Sequence, residues 1–236
     1  MFVGILFAVI VSLSISVFSL LAFLAQRHAN PSFWKPHYFF FGLFWLGMSV
    51  VWALIATSDF FTYLELRYVS VFLTYVFQVF IGASLVSVAY FLNISALRRH
   101  IKKIWAAYFL MAYFLFLLSL VQYHLTLRPT NFFINQIVTS QQTRAIFVIM
   151  VVPLYTAAFI LLARFVRLRH TIDRPTYTFH VFACVSLLLL GVAGSVDEIG
   201  VISGWIVTAS RLVSLVSAIA AYIGTLALHE PDELVI

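Results

Sequence analysis

Seven long apolar runs follow one another along the chain: Phe2 to Ala25, Tyr38 to Thr57, Tyr68 to Ile94, Ile104 to Leu125, Ala145 to Val166, Tyr177 to Val196 and Ile202 to Leu228. Short, more polar segments separate them. Within each run apolar residues cover every helical face, without two-residue alternation. Each run meets the roughly 20 residues a helix needs to cross a hydrocarbon core and is too long for a barrel strand. The pattern predicts an all-α integral membrane protein, a single seven-transmembrane helix bundle over residues 1–236 with a short acidic tail at 229–236. No basic residue precedes the first run, and Arg27 and His28 follow it. A cleaved signal peptide has the reverse charge order, so this run is expected to stay as the first helix.

Composition narrows the class. Hydrophobic residues make up 64% of the chain and charged ones 9%, with a mean hydropathy of +1.06. Soluble domains carry about 25% charged residues. A soluble enzyme, a disordered tail and a disulfide scaffold are excluded, and the lone Cys184 reads as a small core residue. Seven spans leave no room for a separate soluble catalytic domain. The net charge of +6 comes from residues in the connecting loops, which speaks for membrane orientation and against nucleic-acid binding. The first, third and fifth loops hold Arg27 and Lys35, then Arg98, Arg99, Lys102 and Lys103, then Arg164, Arg167, Arg169 and Arg174. The other side holds Arg67, Arg128 and Arg144. This bias predicts the amino end outside and the carboxyl end cytoplasmic. The longest loop, from Thr126 to Arg144, is expected to place Phe132 and Phe133 at the interface as an amphipathic turn.

Polar groups inside apolar runs are costly, so each is a candidate for function. Arg211 lies about 13 Å into the seventh run at 1.5 Å per residue. Asp197 and Glu198, just across the turn, are its expected partners. The pair reads either as a structural ion pair or as part of a binding site opening to the outside. Gln78, in the third run, is expected either to reach the same cavity or to bond a neighbouring helix. Gln122 and His124 end the fourth run on that side, and Asp59, Glu65, Arg67, Gln141, Gln142 and Arg144 complete a polar outer mouth. His37 and His180, near the inner ends of their helices, are weak candidates for axial haem ligation, although an interfacial histidine needs no such reason. No metal-ligand motif and no GxSxG elbow occurs, so neither a cofactor nor a catalytic residue is expected. The seventh run has no lysine to carry a Schiff base.

Small residues recur at four-residue spacing. Gly4, Ala8, Ser12 and Ser16 share one face of the first run. Ser210, Ser214 and, on an adjacent face, Ser217 do the same in the seventh. Such stripes let helices approach closely, within the bundle or against another protein. Pro153 is expected to kink the fifth helix.

The layout resembles the seven-helix sensor modules of prokaryotic histidine kinases and diguanylate cyclases. The likeness rests on Trp45-Leu46-Gly47-Met48 and Trp52, on Gln142-Thr143-Arg144, and on Pro153. It implies a receptor or sensor-like role, and the chain departs from it in carrying no output domain after the seventh run. The leading expectation is a non-enzymatic receptor or interaction module that takes a small ligand from the outer side. It would signal through a separate membrane partner or a second copy. Two alternatives stand beside it: an accessory subunit or assembly factor of a membrane complex, and a small-solute transporter. Pro153 has no counterpart in the first half, which lowers the transporter reading.

Overall fold

The computed structural model describes residues 2–29, 34–96, 99–122, 126–129, 135–138, 140–198 and 204–229. Seven α-helices account for most of them: α1 (Phe2–Ala29), α2 (Pro36–Tyr63), α3 (Arg67–Ala96), α4 (Arg99–Gln122), α5 (Gln141–Arg167), α6 (Arg174–Glu198) and α7 (Gly204–Leu226). All seven contain a stretch long and apolar enough to cross a membrane. A 3-10 turn, Ala227–His229, follows α7. The segment between α4 and α5 carries two short strands. It pairs β1 (Thr126–Pro129) with β2 (Asn135–Val138) as an antiparallel hairpin in which Thr126 faces Val138. The pairing satisfies backbone groups that an open turn would leave to solvent. Phe132 and Phe133 lie outside the described residues, as does the tail beyond His229.

Interhelical bonds fix the neighbours and their directions. Ser16 donates to the Ser49 carbonyl and Gln26 to the Tyr38 carbonyl, so α1 and α2 are antiparallel. Asn93 reaches the Lys102 carbonyl and Tyr113 the Val79 carbonyl, which pairs α3 with α4. Ser217 donates to the Ser186 carbonyl at 2.6 Å, tying α7 to α6. Phe18 lies against Tyr222 while Arg211 reaches Ser12, so α1 and α7 are parallel neighbours. Helices α1, α2, α3, α5, α6 and α7 close a ring, and α4 packs outside it against α3 and α5. The three connections rich in Lys and Arg all fall at one end, called here the basic end.

The small-residue stripes serve this packing. Ala8, Ser12, Ser210, Ser214 and Ser217 are all buried where α1, α7 and their neighbours meet, and Ala8 packs against Val207. The packing around Gly4 lies outside what is described. Glycines do the same elsewhere: a Cβ on Gly47 would run into Ser84, and one on Gly224 into Phe182. Large aromatic side chains fill the ring, among them Phe41, Phe44, Trp45, Phe91 and Phe179. Outward faces stay apolar, as with Leu110, Met111, Phe114 and Leu118 on α4.

Helix ends follow local chemistry. Ser140 caps α5 by accepting the Thr143 amide, and Asp173 caps α6 by accepting the Thr176 amide at 2.9 Å. The bond from the Thr176 side chain leads in holding the Asp173 carboxyl below its ordinary range, with the amide bond adding to it. The depressed value means this cap stabilises the fold above the ordinary carboxylate range and is lost as pH falls.

Pro153 sits within an unbroken α5. Its ring nitrogen has no hydrogen to give the Ile149 carbonyl four residues earlier. Tyr108 of α4 donates its hydroxyl to that carbonyl at 2.6 Å. Removing this donor with Tyr108→Phe is expected to cost about 1–3 kcal/mol of stability in detergent unfolding. In a Pro153→Ala background, where a backbone amide returns to the carbonyl, the same substitution should cost far less. Equal costs in both backgrounds would refute the assignment.

Candidate functional site

The sequence continues helical beyond Thr57, and that continuation builds the site. Ser58, Asp59 and Thr62 belong to the last turns of α2, not to a loop. The turn to α3 is tight: the Leu66 amide reaches the Phe61 carbonyl, the Glu65 amide reaches the Thr62 carbonyl, and Glu65 adopts φ 61°. This is a Schellman-type stop with a non-glycine residue in the left-handed region. It folds α3 back so that Ser70 bonds both Ser58 at 2.7 Å and Thr62 at 2.6 Å. The hydroxyls zip α2 to α3 at this end, beside Asp59.

Asp59 follows Trp52 and Ala56 at helical spacing and shares their buried face, and is 2% exposed. Arg211 of α7, 5% exposed, donates to its Oδ2 at 2.6 Å. The same Arg211 nitrogen lies 3.1 Å from Ser12 Oγ of α1. One guanidinium thus joins three helices. Its rigid fork of donors suits a carboxylate and hydroxyl held in fixed positions.

Arg211 was expected to pair across the turn with Asp197 and Glu198, and the partner found is Asp59. Rotation of α7 explains the difference. Arg211 shares a face with Ser214 and Ala218, which are buried, and from that face it reaches Asp59 near the end of α2. Asp197 and Glu198 lie in the last turn of α6, and their side chains are not among those described. Gln122 is exposed at the end of α4 and does not join the site, and His124 lies outside the described residues.

Below the pair, toward the basic end, the ring helices line a cavity of about 130 Å³. Five helices, α2, α3, α5, α6 and α7, line it. Ile55, one turn from Asp59, and Ser214, one turn from Arg211, both border it. The ion pair therefore sits beside the cavity. The walls are mainly apolar, with Phe44, Met48, Phe77 and Leu154 among them. Gln78, Trp52, Tyr155 and Ser214 are the lining residues that carry polar groups. Gln78 is 1% exposed, and both its amide oxygen and its amide nitrogen have no hydrogen-bond partner among the described residues. The Trp52 indole nitrogen is in the same position. An interhelical bond from Gln78, one of the two expectations for it, is not what the side chain makes. Two further positions shape the wall. Gly191 lies under the Tyr155 ring, whereas a Cβ on Gly194 would meet nothing within 4 Å.

The histidines pack differently. His180 gives its Nδ1 edge to the Thr176 carbonyl at 2.8 Å, stacks on Phe165 at 4.3 Å and meets Phe179 at 5.1 Å. His37 lies against Tyr38, with ring centroids 4.0 Å apart, and within electrostatic reach of His180. The ring faces of His180 are thus occupied by aromatic contacts of the basic end. No group of three or more His, Cys, Asp or Glu side chains suited to a metal occurs among the described residues.

Seven helices of spanning length, with apolar side chains turned outward, have the build of an integral membrane protein of the helical-bundle class. No family model, no curated protein and no solved structure matches the chain.

Proposed function

We propose that this protein is a non-enzymatic seven-helix receptor or sensor-like module of a prokaryotic cytoplasmic membrane. Its amino end faces out, its carboxyl end faces the cytoplasm, and it signals to a separate membrane partner. The observation that carries this reading is the placement of a buried charge pair beside a largely apolar cavity between five helices. A structural pair needs no cavity beneath it. A receptor needs an element with two arrangements that a ligand can bias. Ligand in the cavity touches Ile55 and Ser214, one turn from each charge, and so favours either the joined or the parted pair. Parting the pair frees α7, with α6 tied to it through Ser217, to shift against α2. The basic end, where α2 begins and α7 ends, carries that shift to the partner.

The subunit alternative draws its support from small-residue stripes available to another protein. Those of α1 and α7 are spent inside this bundle, which favours the receptor. The test is to neutralise the pair without changing its shape. Asp59→Asn is expected to move the basic ends of α2 and α7 relative to each other, read as a changed distance between spin labels placed there. An unchanged distance in a folded variant would contradict the reading.

A further inference from the structure

The receptor reading leaves its ligand undefined, and the cavity's polar atoms narrow the choice. Gly47 faces Ser84 and Ser58 bonds Ser70, so the antiparallel register of α2 and α3 brings Trp52 level with Gln78. Both residues border the cavity, and both carry polar atoms without a partner among the described residues. A buried amide left unpaired costs far more than one that is bonded. Together these atoms present one acceptor, Gln78 Oε1, and two kinds of donor, Gln78 Nε2–H and Trp52 Nε1–H. A hydroxyl has the complementary set: one hydrogen to give and two lone pairs to receive.

Ser214 already gives its hydroxyl hydrogen to the Ser210 carbonyl, the rest of the wall is mainly apolar, and the volume is small. An apolar cavity of about 150 Å³ takes a single benzene ring. About 130 Å³ therefore suits one ring or a short branched chain, and excludes a whole acyl lipid. We propose that the cavity is a ligand site for a ring-sized apolar molecule bearing one hydroxyl, which donates to Gln78 Oε1 and accepts from Gln78 Nε2 and Trp52 Nε1. This proposal rests on the receptor reading for its purpose but not for its chemistry. The rival occupant of such a cavity is water.

Gly194 provides a control, because it borders the cavity and a Cβ there meets nothing within 4 Å, so a larger side chain is expected to grow into the cavity. The experiment uses the full chain in detergent micelles and two fluorinated probes, 4-fluorobenzyl alcohol and its hydroxyl-free analogue 4-fluorotoluene. Binding is followed by fluorine NMR as saturable exchange broadening above micelle partitioning. Both probes are expected to bind the wild type, the alcohol more tightly. Gly194→Leu should abolish saturable binding of both. Gln78→Leu should weaken the alcohol about tenfold and leave 4-fluorotoluene unchanged or tighter. Helical circular dichroism and a monodisperse elution profile establish that each variant is folded. Absence of saturable binding above the Gly194→Leu baseline would assign the cavity to water and overturn the proposal. So would an alcohol-to-toluene preference that Gln78→Leu leaves intact. Neither result bears on the label distances of Asp59→Asn, so failure of the ligand site and failure of the receptor reading are told apart.

Discussion

Arg211→Ala and Asp59→Ala should each destabilise the folded protein by about 3–5 kcal/mol, because each removes one charge of a buried ion pair. Both side chains are nearly inaccessible to water. Arg211→Ala also removes a donor to Ser12 and should be the worse of the two. The double variant Asp59→Leu/Arg211→Met behaves differently. It removes both charges and keeps apolar volume, and a replacement of this kind is often neutral or stabilising. Denaturant unfolding of the four proteins in one detergent forms a double-mutant cycle. Strong positive coupling, with the double variant close to wild type, is the expected outcome. Additive losses would mean that the two residues act separately, and the pair would then have no role as a unit.

The second large effect separates two glycines on one helix. Gly191→Val is expected to destabilise by at least about 1–3 kcal/mol, because its side chain would occupy the space of the Tyr155 ring. Tyr155 must then turn away or α5 and α6 must part, and either response deforms the cavity that Tyr155 borders. Gly194, three residues on, faces open space. Gly194→Ala should be neutral or stabilise by up to about 1 kcal/mol, the helix-propensity gain of alanine over glycine. Unfolding midpoints of the two variants under identical conditions check the contrast. Similar changes in both would show that the α5–α6 approach at Gly191 is not tight.

Much of the fold was legible because a hydrocarbon core demands a simple signal: a long run that is apolar on every face. The seven runs identify the seven helices, although their ends differ. Ser58 and Asp59 look like the start of a loop, yet α2 continues through Tyr63. The spacing of Trp52, Ala56 and Asp59 holds the missed signal, since one helical face carries all three. That Arg211 needs a carboxylate follows from its position in the seventh run. Which carboxylate it takes depends on how α7 is rotated and on a contact 152 residues away in the chain. The nearby acids at 197 and 198 were the natural choice only by sequence distance. The cavity lies beyond sequence reasoning altogether. A void depends on how five helices fail to fill space, and Gln78 reads the same whether it bonds a neighbour or stands free at a wall. The small-residue stripes on α1 and α7 suggest close helix packing, while the helix they meet is a matter of tertiary arrangement.

The spacing between the basic ends of α2 and α7 addresses the receptor directly. Spin labels on Lys35→Cys and Leu226→Cys, both exposed, report it by pulsed electron resonance in a Cys184→Ala background. If the Arg211–Asp59 pair holds one of two arrangements, Asp59→Asn will give a second or displaced distance population relative to the protein with the pair intact. A single distribution that Asp59→Asn leaves where it was, in a folded protein, would show that the pair braces the bundle and switches nothing.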